Sequence, residues 1–102
     1  MPDYPVPDMA DVDLVDILRA LADPTRLQIV RKIADGQPCP KSIDVWGVEL
    51  TKATMSHHFK ILREAGLTRT LVTGRTHAIQ LRRDELDACF PGLIDAVLDA
   101  AH

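Results

Sequence analysis

Long apolar runs are the first thing this chain of 102 residues lacks. No stretch approaches the roughly 20 apolar residues of a spanning helix, so no membrane segment is expected. The leading residues scatter Pro2, Pro5 and Pro7 among aspartates with no apolar centre, which argues against a signal peptide. Cysteine is nearly missing. Cys39 and Cys89 alone cannot build a disulfide scaffold and suit free thiols in a reducing compartment, so a cytoplasmic location is expected. Catalytic motifs are missing as well: there is no Gly-rich phosphate loop, nucleophile elbow or metal-ligand motif. Ser56 and His57 are adjacent on one expected helix, where they cannot form a catalytic pair, so no enzyme and no cofactor are expected. What is present, 46% hydrophobic residues in so short a chain, suffices for one core and one domain.

The net charge of −3 hides a segregation. Residues 1–23 hold six aspartates against Arg19, and residues 84–102 hold five acids with no Lys or Arg. Between them, residues 52–83 carry Lys52, Lys60, Arg63, Arg69, Arg75, Arg82 and Arg83 against Glu64 alone. A basic block between acidic ends suits a local phosphate-binding surface that the whole-chain charge averages away.

Apolar spacing supplies the elements. Residues 1–10 read as a disordered lead-in. Leu14, Ile17, Leu18 and Leu21 then mark one face of a first helix. Asp23-Pro24 is a helix start, and Gly36 a left-handed stop, which predicts a helix over 24–35. Residues 37–50, with Pro38, Pro40 and Gly47, could hold a short helix or an extended segment around Ile43, Val45 and Trp46. Thr51 and Gly66 bracket a breaker-free helix over 52–65. Thr70, Val72, Ile79 and Leu81 alternate around Thr73-Gly74-Arg75, predicting a hairpin over 68–82. A last helix over 84–101 carries Leu86, Phe90, Leu93, Ile94, Val97 and Leu98, with a kink or restart at Pro91.

On the helix over 52–65, Met55, Phe59 and Leu62 share one stripe, while Ala53, Ser56, His57, Lys60 and Glu64 face away. Its first turns offer Lys52, Ala53, Thr54, Ser56 and His57, small or hydrogen-bonding side chains that let a helix sit close to base edges in a major groove. The hairpin then acts as a wing, with Arg75 at its tip placed for phosphate or the minor groove and Arg69, Arg82 and Arg83 adding background positive potential. The predicted fold is therefore mainly α with a small β-hairpin, a winged helix-turn-helix over residues 11–102. The first and last helices are apolar enough to need a symmetry mate, which makes Leu14, Ile17, Leu18, Phe90, Leu93, Ile94, Val97 and Leu98 the candidate dimer interface. The expected partners are a second copy and double-stranded operator DNA, read as a palindrome.

Two stretches carry a resemblance. L-A-D-P-T-R-L-Q-I-V at residues 21–30 and T-M-S-H-H-F-K-I-L-R-E-A-G-L at residues 54–67 resemble the ArsR family of winged-helix repressors, and with the hairpin the likeness runs from Val12 to the end. It implies a dimer built from the first and last helices that represses transcription until an inducer, whose chemistry the motifs do not name, binds. By motif match the DNA-facing positions implied are Thr51, Lys52, Ala53, Ser56, His57 and Arg75. Lys52 and Ala53 depart from the more usual polar pair, and residues 37–50 depart from the usual short supporting helix.

Many relatives sense metals through paired cysteines in that supporting helix or through Asp/His pairs on the last one. Neither pattern stands here, and Asp84, Asp87, Asp95, Asp99 and His102 lack the His-bearing spacing, so no metal site is expected. His57 and His58 point about 100° apart on a helix and cannot share an ion readily. His57 is expected to face DNA, His58 to bond backbone or a neighbouring helix, and His77 to sit on the surface. Cys39 and Cys89 remain candidates for a thiol- or metal-responsive switch, against the plainer reading of unreactive packing cysteines. The other rival is a winged helix that docks a protein, which a polar, cationic face formed by Ser56, His57, Lys60 and Arg75 disfavours.

Overall fold

A computed structural model describes residues 4–42, 46 and 51–100. Asp13 caps the first helix, α1 (Leu14–Leu21), through a 2.8 Å bond from the Val15 N–H. Asp23 caps α2 (Pro24–Lys32) through the Arg26 N–H at 3.0 Å, with Pro24 in the first turn where its missing N–H leaves no helical bond unmade. The helix predicted over 24–35 closes at Lys32, because Ile33 leaves helical geometry and Gly36 turns the chain at φ +80°. A short strand β1 (Cys39–Pro40) follows, so the extended alternative holds for this part of residues 37–50. Ile43, Val45 and residues 47–50 lie outside the described residues. Trp46 is buried, with Nε1 donating to the Pro40 carbonyl at 3.0 Å and its ring 5.5 Å from that of Phe59.

Helix α3 (Lys52–Glu64) starts on Thr51, whose hydroxyl accepts the Thr54 N–H at 3.1 Å. It ends at Ala65, and Gly66 at φ +92° turns the chain into β2 (Thr68–Thr73). β2 pairs antiparallel with β3 (Thr76–Leu81), from Thr68 opposite Leu81 to Thr73 opposite Thr76. β1 pairs with the other edge of β3, giving the order β1-β3-β2. The predicted last helix is two: α4 (Arg83–Cys89) and α5 (Leu93–Ala100). Pro91 cannot continue a ladder, and Gly92 at φ +79° makes the turn, so the helix restarts rather than kinks.

Ile17, Ile29, Val30, Ile33, Met55, Leu62, Leu67, Ile79, Leu86 and Ile94 form the core, drawn from every helix and from β3. Each such side chain contributes about 1.5–3 kcal/mol by leaving water. They hold α3 by one face only.

The chain before α1 departs from the disordered lead-in expected for residues 1–10. Met9 is buried in the core at the start of a single 3-10 turn, Met9–Asp11, capped by Asp8. The Arg82 guanidinium donates to the Pro7 carbonyl at 2.9 Å. The folded unit thus reaches back to Tyr4, because Met9 fills the core and Arg82 supplies a partner for the backbone of a proline-rich segment.

Candidate nucleic-acid interface

Met55, Phe59 and Leu62 anchor α3 inward, which leaves Lys52, Ala53, Thr54, Ser56, His57 and Lys60 exposed on its outer side. Thr51 and Thr54 already serve the cap: besides the bond to the Thr54 N–H, their hydroxyls lie 2.9 Å apart. Lys60 Nζ stands 3.7 Å from Glu64, an exposed pair that binds its charge weakly. The side chains left for a partner are Lys52, Ala53, Ser56, His57 and Lys60. Ala53 and Ser56 are small enough to let the helix axis approach a flat or grooved surface.

One guanidinium fixes the angle of α3 against the rest. Arg26 Nε donates to the Ala20 carbonyl at 2.5 Å, Nη2 donates to the Arg19 carbonyl at 3.4 Å, and Nη1 lies 3.3 Å from His58 Nδ1. The end of α1, the start of α2 and the middle of α3 therefore meet at a single planar fork. His58 bonds a neighbouring helix, as its position predicted.

The hairpin turns through Gly74 and Arg75. Gly74 takes φ +60°, a conformation that costs a residue without Cβ nothing, and Arg75 is exposed at the tip. Arg75, Lys52 and Ser56 line one cleft between α3 and the hairpin, together with Tyr4, Lys41, Ser42, Met55, Phe59, Arg63 and His77. Three of the sequence-predicted residues are thus brought together, and Ala53, His57 and Lys60 lie round the outer curve of the same helix.

Arg69, Arg82 and Arg83 do not add the background potential expected of them. Arg82 is buried and bonds Glu85 at 2.7 Å, Arg69 pairs with the same carboxylate, and Arg83 pairs with Asp87 at 3.0 Å and with Asp95. The Arg82 guanidinium above all holds the Glu85 carboxyl below its ordinary value, and the Asp95 and Asp87 carboxylates push Arg83 upward. A count by segment cannot see these pairs, since the acids come from the next segment and fold back. Among the described residues, Lys41, Lys52, Arg63 and Arg75 have no such partner.

His77 also differs from expectation. It is half-buried, its Nδ1 2.7 Å from the Tyr4 hydroxyl and its ring edge-on to the Tyr4 ring. Lys41, just after β1, lines the same cleft. Burial, and then the nearby Arg63, lower its ammonium to about 8. Neither Tyr4 nor Lys41 announces this role, because each reaches the cleft from a segment with no periodic pattern.

Of the residues expected at a dimer face, the structure leaves some exposed and buries others. Leu14 and Leu18 are 43% and 47% exposed, and beside them stands Val15 at 50%, which lies outside the stripe of Leu14, Ile17, Leu18 and Leu21. Ile17 and Ile94 are fully buried in their own core and cannot meet a second copy. They lie on the inward sides of α1 and α5, where the core claims them. Phe90, Leu93, Val97 and Leu98 pack against that core with part of each side chain in solvent.

Cys39 is half-buried on β1 and Cys89 is exposed at the end of α4; both are free. Burial pushes the Cys39 thiol up, away from the reactive thiolate. Among the described residues no three His, Cys, Asp or Glu side chains converge as metal ligands would. Among them, too, no helix is long and apolar enough to cross a membrane.

The chain is similar in sequence to known regulatory proteins. The profile of the family described as "Bacterial regulatory protein, arsR family" matches residues 23–70, from the cap of α2 to the first half of β2. A Bacillus subtilis protein named as the HTH-type transcriptional regulator YceK is 37% identical over 79% of this chain and 82% of its own length. The arsenical resistance operon repressor of Staphylococcus xylosus is 33% identical over 78% of this chain and 75% of its own. The HTH-type transcriptional regulator KmtR of Mycobacterium tuberculosis is 33% identical over 96% and 72% respectively.

Proposed function

The chain belongs to the arsR family of bacterial regulatory proteins and is a DNA-binding transcriptional regulator, not an enzyme; from that premise we propose that it represses its target as a homodimer on a palindromic operator. In this reading α3 enters the major groove with Lys52, Ala53, Ser56 and His57 toward base edges, Thr51 and Thr54 shape its first turn, and Lys60 and Arg75 meet the phosphates. Lys52 can donate to guanine O6 and N7 or to a phosphate, and Ala53 can touch a thymine methyl.

The observation that carries the reading is the sorting of cations. Arg69, Arg82 and Arg83 are tied to carboxylates within the scaffold, whereas Lys52 and Arg75, on α3 and on the hairpin tip, are without a carboxylate partner among the described residues and share one cleft. A surface that keeps its positive charges uncompensated at the end of one helix and one hairpin favours a polyanion over an apolar protein partner.

Titration of the purified protein against DNA from its own promoter at two salt concentrations tests this. Sequence-selective binding that weakens with salt is expected, with Arg75→Ala lowering the salt slope by about one and weakening all sequences alike. Lys52→Ala is expected to cost about 1–3 kcal/mol at the positions it reads. Wild type and variants that bind every sequence equally, or none, would overturn the assignment.

A further inference from the structure

The cleft between α3, the hairpin and the N-terminal arm holds more than a DNA-facing surface requires. It is an open cleft of about 710 Å³, within the range of pockets that hold small molecules. Met55 and Phe59, both nearly withdrawn from solvent, give it an apolar floor, and Tyr4 gives it an aromatic wall. A sugar-phosphate backbone needs neither. Four cationic side chains converge on it, Lys41, Lys52, Arg63 and Arg75, and no carboxylate lines it among the described residues.

The cations at its inner end are held by a ring instead of by acids. Lys41 Nζ lies 4.5 Å and Arg63 Cζ 5.2 Å from the centroid of Tyr4, and Lys41 Nζ lies 5.5 Å from that of Phe59. The Tyr4 hydroxyl is steadied by His77 Nδ1 at 2.7 Å. Arg63 Nε is buried and finds no acceptor among the described residues. Like charges drawn together over aromatic faces, one of them half-buried, create a demand for an anion that water meets poorly.

We propose that this cleft is a binding site for a small organic anion, an acid group on a flat apolar body, and that its occupant competes with DNA. The acid group meets Lys41 and Arg63, and the body lies along Phe59 and Met55 against Tyr4. Lys52, Ser56 and Arg75 line the same cleft and are the side chains assigned above to DNA, so the two ligands exclude one another. By linkage, DNA weakens the anion by the factor by which the anion weakens DNA. The competition rests on the DNA-binding reading; the site itself does not.

Equilibrium dialysis of labelled phenyl phosphate and benzoate, with inorganic phosphate as the probe lacking an apolar body, tests the site in the absence of DNA. Saturable binding of the two aromatic anions is expected, tighter for phenyl phosphate than for inorganic phosphate by about ten-fold or more, as burial of one ring implies. Lys41→Gln and Arg63→Gln are each expected to weaken it about ten-fold, Lys41→Arg to retain it, and Arg31→Gln, at an exposed position of α2, to leave it unchanged. The emission of Trp46, whose ring lies 5.5 Å from the floor residue Phe59, reports both folding of each variant and occupancy. Equal affinity for inorganic and phenyl phosphate, or binding indifferent to Lys41→Gln in a folded variant, would overturn the proposal, as would no saturation at all. In a second arm, phenyl phosphate should release promoter DNA from the wild type at concentrations that do not release it from Lys41→Gln. Aromatic anion binding in dialysis with no effect on bound DNA would refute the competition, and failure of the wild type to bind DNA would count against the earlier reading alone.

Discussion

Asp23 and Lys41 show opposite ways in which one side chain enters the stability of this fold. The Asp23 carboxylate accepts the Arg26 backbone N–H, and that bond above all lowers its ionisation below the ordinary value of 3.8. A lowered carboxyl stabilises the fold above its unfolded value, and the contribution is lost as pH falls through the folded one. Asp23→Ala should therefore cost about 1 kcal/mol at neutral pH, while Asp23→Asn keeps most of the cap; urea titrations at pH 7 and near pH 3 should show the gap between wild type and Asp23→Asn shrinking in acid. Lys41 runs the other way. Its ammonium is lowered to about 8 by burial and by Arg63 of α3, and among the described residues Tyr4 of the arm and His77 of β3 also lie beside it. The unfolded chain binds the proton more tightly, so stability should rise with pH between about 8 and the ordinary lysine value, 10.5. Denaturation midpoints of wild type measured against Lys41→Met across that interval check the sign, and parallel profiles would refute it. A charge that burdens the fold at neutral pH fits a ligand site better than a structural role.

At the scale of elements, α3 and the hairpin were the most legible parts, for reasons their residues make plain. Thr51, Gly66 and the stripe Met55, Phe59, Leu62 are local signals, and each needs only its own helix to be read. The two-residue turn at Gly74 and Arg75 is equally local. What escaped was decided across elements. Met9 entering the core, Tyr4 reaching His77, and the carboxylates of Glu85, Asp87 and Asp95 folding back onto Arg69, Arg82 and Arg83 all join residues with no spacing rule between them. Ile17 and Ile94 were misread as interface because periodicity marks a face as apolar without saying whether its own core or a second copy covers it. The junction of α3 with β2 offers a test of such cross-element packing. Gly66 takes φ +92°, and a Cβ there would run into the side chain of Val12, just before α1. Gly66→Ala should cost more than the 1–2 kcal/mol of a left-handed alanine alone. Gly74→Ala, with open space around it, should cost only about that much and leave the core intact. Thermal melts of the two variants that coincide would show that Val12 yields freely and that this packing is soft.

The whole molecule poses the question of what covers Leu14, Val15 and Leu18. These three side chains form a continuous outward patch on α1, each exposed by more than two-fifths, and Phe90, Leu93, Val97 and Leu98 leave parts of themselves in solvent on and before α5. A lone domain of this size gains nothing by presenting such a patch to water, whereas a two-fold mate would bury it against itself. The same axis would set two copies of α3 side by side, as a palindrome read one turn apart demands. Leu18→Glu is the sharpest probe, because the residue is exposed in the single protomer and its replacement leaves the core untouched. Sedimentation equilibrium should find a dimer for wild type and a monomer for Leu18→Glu, with unchanged helical circular dichroism. The DNA titration should then separate the two roles of the fold. A monomer keeps its α3 face and its non-specific, salt-dependent affinity, but loses the second half-site, for which the linked pair gains about a hundred-fold or more. Should Leu18→Glu remain dimeric, α1 is not the interface. If it becomes monomeric yet binds the operator as tightly as wild type, the dimer exists without serving recognition, and a single winged domain reads the site alone.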